Sequence, residues 1–354
     1  MFCLCKGFTV KFTRVVSTMA MTAVFATGLL PLSVSADDNL VNVYSARKEA
    51  LIKPLFDRFT AETGIAVNLV TGKADALLKR LEVEGDATPA DLFVTVDAGR
   101  LYRAKDAGVL QVATSETLDK LIPAHLKDVD GYWYGMSQRA RTVFYVKDKV
   151  DPAELTSYED LADPKWKGRI CIRSSSNIYN QSLVASMIDA NGVEATEAWA
   201  KGLVANFAKP PAGGDTDQLR AAASGVCDLA IANTYYYARL VHSNKESDNE
   251  VAAKLGTAWL NQDGRGAHVN VSGVGVTKYA SNVESAIKLM EFMASDESQV
   301  WYGAENNEYP VVEGVEVSPV LKGLGEFKAD DLELSKLGTN NRAAVELMDR
   351  AGWK

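Results

Sequence analysis

The sequence predicts an α/β protein of two lobes, each a sheet flanked by helices. Strand and helix signals alternate along the chain, and one strand is a continuous apolar run of the kind covered on both faces. At 354 residues, 47% of them hydrophobic, the chain can bury two cores. No short repeat or long Gly/Ser linker separates the halves, so two rigid bodies joined by extended hinge strands are expected, with 136–142 and 268–276 as those strands.

Each element follows from local pattern. Residues 40–44 alternate and are β-branched, a strand. In 49–62, Ile52, Leu55, Phe56 and Phe59 recur at helical spacing, and Gly64 stops the helix. A strand at 65–70, a helix at 75–84 ended by Gly85, and the apolar strand 91–96 complete a β-α-β-α-β order, which implies a parallel sheet. A second cycle reads as strands at 142–146 and 166–172, helices at 181–191 and 217–224, and a strand at 227–232.

The amino terminus sets the compartment. Lys6, Lys11 and Arg14 precede an apolar stretch over 15–32, and Ser33-Val34-Ser35-Ala36 then leads into Asp37-Asp38. That is the plan of a secretory signal peptide cleaved after Ala36, with no twin-Arg pair. The net charge is −8, and removing a leader with three cations and no acid makes the chain more acidic still. An acidic surface repels a phosphate backbone, so nucleic acid is excluded as a partner. Mean hydropathy of −0.09 excludes a polytopic membrane protein. Beyond Ala36 only Cys171 and Cys227 remain, an even pair in an oxidising compartment, so one disulfide is expected.

Enzyme motifs are missing. There is no G-x-S-x-G, Walker A loop, G-x-G-x-x-G or H-E-x-x-H, and His125, His242 and His268 are not spaced as metal or triad partners. One constellation stands out, Asn233-Thr234-Tyr235-Tyr236-Tyr237-Ala238-Arg239. It follows an apolar strand and opens a helix, the strand end where open α/β sheets place ligands. Adjacent phenolates at neutral pH need a strong positive charge beside them, and hard phenolate oxygen suits Fe3+. The turn Ser174-Ser175-Ser176-Asn177 at another helix start offers N–H and hydroxyl donors, an anion seat or plain N-capping.

Taken with these segments, the whole mature chain resembles the periplasmic ferric-ion-binding proteins, tyrosine-rich branch. The resemblance rests on Val43-Tyr44-Ser45-Ala46-Arg47, Glu84-Gly85-Asp86-Ala87-Thr88-Pro89-Ala90-Asp91, Arg139-Ala140-Arg141, Arg173 to Asn180, the tyrosine run, and Asn307-Glu308-Tyr309-Pro310-Val311. It implies the type II periplasmic-binding-protein fold with a ligand cleft between lobes. Residues 37–138 and about 269–315 would form the first lobe, and 139–268 and about 316–354 the second. It implies three metal ligands, Tyr179, Tyr235 and Tyr236, with Tyr237 structural. Arg139, Ser175, Ser176 and Asn177 would hold a synergistic anion, carbonate first, with citrate or water as alternatives.

The chain departs from the family where some members place His or Tyr ligands. Lys48-Glu49 stands there, and Val96 matches an acidic ligand, with Asp97 adjacent. A protonated lysine cannot coordinate a cation. Tyr44, Arg47 and Glu49 are candidates to line the cleft from the first lobe. The expected function is a monomeric periplasmic receptor that captures ferric iron and delivers it to an ABC importer permease with a cytoplasmic ATPase. A receptor for thiamine, a polyamine or an oxyanion is the alternative, and an exported hydrolase a more distant one.

Overall fold

The structure is a computed structural model that describes residues 39–354. The expected leader and its cleavage after Ala36 lie outside those residues. Strand β1 (Leu40–Ser45) buries Val41 and Val43 completely. A 3-10 turn at Glu49–Leu51 precedes α1 (Lys53–Thr63), so the helix expected from residue 49 is divided. Pro54 is the reason. Inside one long helix its ring would meet the carbonyl four residues back, whereas in the first turn of α1 its missing N–H costs nothing. Gly64 ends α1 at φ 74°, a left-handed cap that favours glycine.

Strand β2 (Ala66–Thr71), helix α2 (Ala74–Glu84) and strand β3 (Leu92–Val96) fall within about two residues of the expected bounds, and helix α3 (Ala98–Asp106), which was not expected, follows. Helix α4 (Glu116–Leu121) leads to the long strand β4 (Tyr134–Val146). The strand expected over 166–172 shrinks to β5 (Ile170–Cys171). A 3-10 turn at Pro164–Trp166 and Gly168 at φ 73° take up the rest. The helix expected from residue 181 starts three residues earlier, as α5 (Ile178–Asn191), because Asn177 Oδ1 caps it by accepting from the Tyr179 N–H at 3.1 Å.

Helices α6 (Val193–Ala205) and α7 (Asp215–Ala223) precede β6 (Leu229–Asn233), and α8 (Thr234–Val241) follows it directly. Helix α9 (Glu246–Lys254), strand β7 (Leu255–Ala258) and strand β8 (Val269–Val276) come next. The chain then runs through α10 (Val283–Met293), α11 (Asp296–Trp301), α12 (Pro319–Lys322), α13 (Ser335–Thr339) and α14 (Asn341–Arg350).

The strand order is β2-β1-β3-β8-β4-β6-β5, with β7 on β4. The parallel arrangement expected for the first β-α-β-α-β cycle is present, and a strand from far along the chain makes the whole sheet mixed. β1 is parallel to β2 and β3, but β8 is antiparallel to both β3 and β4. The cause is the double crossing. β4 carries the chain out of the first half of the sheet, and β8 brings it back in the opposite direction. Tyr134 to Ala140 of β4 pair with β8, while Arg141 to Tyr145 pair with β6, so one strand serves both halves. At the carboxyl end α13 packs on both α3 and α5.

Cys171 and Cys227 form the expected disulfide, with Cα atoms 5.9 Å apart. It ties β5 to the approach of its parallel neighbour β6.

Candidate functional site

The turn from β6 into α8 puts Tyr235 and Tyr236 in the first turn of α8, at the carboxyl end of a fully buried strand. The first turn of α5 carries Tyr179. These three side chains meet in one cavity of about 170 Å³, which Arg139 and Arg239 also line. The Tyr235 and Tyr236 rings lie 4.4 Å apart, centroid to centroid, and the Arg239 guanidinium sits 4.9 Å and 5.7 Å from them. Asn233 Nδ2 donates to the Tyr235 hydroxyl at 3.4 Å.

A buried polar network fixes both tyrosine-bearing turns. Arg141 donates to Asp215 Oδ2 at 2.9 Å, to Asn233 Oδ1 at 2.9 Å and to Asn180 Oδ1 at 2.7 Å. Asp215 accepts from the Asn233 N–H at 3.0 Å, and Asn180 Nδ2 donates to the Arg173 carbonyl at 2.8 Å. One arginine thus locks the entry to α8 against the entry to α5, and each charge is paired, as burial demands.

Electrostatics keep Tyr235 and Tyr179 neutral. Burial pushes Tyr235 well above the usual phenol range, and Tyr179 and Tyr236 add to it by repulsion while Arg139 opposes. Burial also raises Tyr179, with Tyr236 adding and Arg139 opposing. Three crowded phenols ionise together only beside a concentrated positive charge. Among the described residues no group of three or more His, Cys, Asp or Glu could hold a metal ion. Tyr237 stands apart, as expected. Its hydroxyl donates to the Ala252 carbonyl at 3.2 Å and its ring stacks on Phe144 at 4.9 Å.

The other wall comes from the first half: Ala46, Arg47, Lys48, Leu51, Val96 and Glu308. Arg47 pairs with Glu308 at 3.0 Å and donates to Ser272 Oγ at 2.6 Å. Ser137 Oγ also donates to Glu308. Burial works against the Glu308 charge, yet Arg47, Arg139 and these hydrogen bonds outweigh it and hold the carboxyl below its ordinary value. Arg47 is therefore a wall residue whose charge is spent on a carboxylate.

Several expectations fail on position. Tyr44 does not line the cavity; its hydroxyl donates to Glu84 at 3.0 Å and Arg80 lies 4.6 Å over its ring. Glu49 is exposed in the 3-10 turn and also lies outside the lining, whereas its neighbour Lys48 is in it. Ser175, Ser176 and Asn177 do not line it either. Ser174 and Ser176 hydrogen-bond each other at 3.0 Å, and Asn177 is the cap of α5. Asp97 turns from the cavity to cap α3, accepting from the Gly99 N–H at 2.9 Å and from Ser182 Oγ at 2.7 Å. Arg239 and Glu308 are among the lining residues that were not expected at the site. Arg239 stands four residues after Tyr235, a spacing that shares a helix face and was readable. Glu308 was not, because its partner lies 261 residues away.

The profile of the bacterial extracellular solute-binding proteins matches residues 54–329. The chain is 48% identical over 344 residues to the iron uptake protein A1 of Synechocystis, covering 97% of this chain and 96% of that one. It is 29% identical over 343 residues to the Fe(3+)-binding periplasmic protein of Serratia marcescens, covering 95% and 98%. A Trichodesmium protein solved in complex with iron and citrate superposes with a TM-score of 0.87 at 53% identity, covering 89% of this chain and all of that one. Sequence and fold agree over nearly the whole described chain: the protein belongs to the family of bacterial extracellular solute-binding proteins.

Proposed function

We propose that the protein is a periplasmic receptor that captures ferric iron and hands it to an ABC-type importer, a permease with a cytoplasmic ATPase. The observation that carries this reading is the meeting of Tyr179, Tyr235 and Tyr236 in one cavity, where no other metal-binding cluster exists among the described residues. Three phenolates neutralise Fe3+, and hard oxygen donors match a hard ion. No bond is made or broken in the protein, so the role is that of a receptor and not an enzyme.

Three phenolates leave coordination positions open. A small anion fills them beside Arg139, carbonate first, and the citrate in the Trichodesmium relative makes a carboxylate the second choice. The Ser175–Asn177 turn reaches that anion only if the lobes move. Those lobes are residues 37–138 with about 269–315, and 139–268 with about 316–354. A leader cleaved after Ala36 delivers the monomeric chain to the periplasm, the location named for the Serratia relative.

Ferric titration of the purified protein tests the reading. A visible phenolate-to-iron band that saturates at one iron per chain is expected. Iron binding without such a band overturns the tyrosinate site, and a colourless protein that takes thiamine, a polyamine or an oxyanion overturns the cargo.

A further inference from the structure

The two tyrosine-bearing turns are not built alike. Helix α8 follows the five-residue strand β6 with nothing between them. Helix α5 follows β5, which has only two residues, and residues 172–177 lie between. A connection of that length carries carbonyls outside any strand, so the place of Tyr179 depends on what holds them. Part of the hold comes from α5 itself. Asn180 Nδ2 donates to the Arg173 and Ser174 carbonyls at 2.8 Å and 3.1 Å, and Gln181 Nε2 to the Ser175 carbonyl at 3.0 Å.

The rest comes from α14, which ties the turn down from both of its ends. Asn341, at its start, donates from Nδ2 to Gln181 Oε1 at 3.2 Å. Trp353, just past its end, donates from Nε1 to the Arg173 carbonyl at 3.1 Å. Trp353 is 1% exposed, although residues beyond a helix end are ordinarily loose. Gly352 brings it back. At φ 76° it donates to the Asp349 carbonyl at 2.9 Å while the Trp353 N–H reaches the Met348 carbonyl at 3.0 Å, a Schellman turn. The indole then meets Phe207 edge-on at 5.5 Å. Arg173 passes the constraint on to the site. Its carbonyl is held by Trp353, and its guanidinium lies 5.7 Å from the Tyr179 ring centre and 3.7 Å from Asp215.

We propose that Trp353 is a positioning residue for Tyr179, with Asn341 as the second tether. By holding the Arg173 carbonyl, the indole N–H fixes both the turn that carries Tyr179 and the guanidinium over its ring. It acts on this phenol alone of the three, because the turn of Tyr235 and Tyr236 is held by Arg141 and Asp215 instead. Its consequence for cargo rests on the ferric reading above; its consequence for the turn does not.

Trp353→Phe keeps an aromatic ring against Phe207 and removes the donor. In the iron-free protein, amide hydrogen exchange over residues 174–181 should quicken in this variant while exchange over 233–238 stays as it was. Quickening of both turns alike, or of neither, overturns the positioning role. A mutant cycle then reads the cargo by chelator competition and by the visible band. In the wild-type and Tyr235→Phe backgrounds, Trp353→Phe should lower ferric affinity about fivefold, the size of one net hydrogen bond, and weaken the band. In the Tyr179→Phe background it should change neither, since the group it places is gone. The same loss in all three backgrounds is a general loosening and overturns the proposal, as does no loss in any. Should Trp353→Phe fail to fold, Asn341→Ala cuts the other tether at a half-buried position, and the same outcomes apply. A wild-type protein that shows no phenolate-to-iron band counts against the ferric reading, and the exchange result alone then decides the positioning.

Discussion

Across the cavity, the part of the chain that follows β4 presents phenols, and the wall on the other side presents charges. Tyr179, Tyr235 and Tyr236 stand on α5 and α8, while Arg47, Lys48 and Glu308 stand opposite. The phenol side is held as one body by Arg141, Asp215 and Asn180. The opposite side is an internally neutralised pair with one exposed lysine beside it. The difference teaches how labour is divided: one side gathers three phenols, and the other lines the cavity with a carboxylate already paired to an arginine.

The largest effects should fall on the phenol side. Tyr179→Phe, Tyr235→Phe and Tyr236→Phe should each lower ferric affinity by orders of magnitude and weaken the visible band, read by chelator competition. Equal small losses at these and at Tyr237→Phe would erase the contrast between the two sides. Because binding expels a proton from each phenol, affinity should fall as pH drops, by up to about a thousandfold per unit if all three protons are released. A slope of one proton or none would break the three-phenolate site.

The charged side should answer in stability. Glu308→Gln leaves Arg47 buried without its carboxylate and should cost about 3–5 kcal/mol in denaturant unfolding. Glu308 is depressed when folded, so its contribution is present above the unfolded carboxylate value of 4.5 and is lost as pH falls through the lower folded value. The gap between wild type and Glu308→Gln should therefore narrow in acid; a gap that widens contradicts the pair. A smaller loss, about 2–4 kcal/mol, is expected on reducing Cys171–Cys227, and unfolded, non-reduced protein should show no free thiol in the mature chain. The smallest effect belongs to Tyr44→Phe, about 1 kcal/mol with ferric affinity unchanged. Lost affinity there would return Tyr44 to the cleft.

Much of this was legible in the residues. The tyrosine run announced itself because three adjacent aromatics at a strand end cannot share one core. The cysteine pair was legible because nothing else remained to pair. What failed was long-range. Tyr44 looked like a wall residue because its partner Glu84 is 40 positions away. The mixed sheet was hidden because strand direction depends on where the chain re-enters, and no local pattern records that. Helix α6 and strand β7 were passed over, the one a run with alanines on several faces and the other a short strand with a glycine in it.

The strand that re-enters, β8, also orders events in time. β3 has no partner on one side until residues 272–276 lie against it. A chain that emerges amino end first, from a ribosome or a translocation pore, must therefore keep β1, β2 and β3 waiting as an incomplete sheet while roughly 175 further residues appear. An unfinished sheet cannot lock early, which keeps the first half loose enough to be threaded and delays the last seal until most of the molecule has arrived.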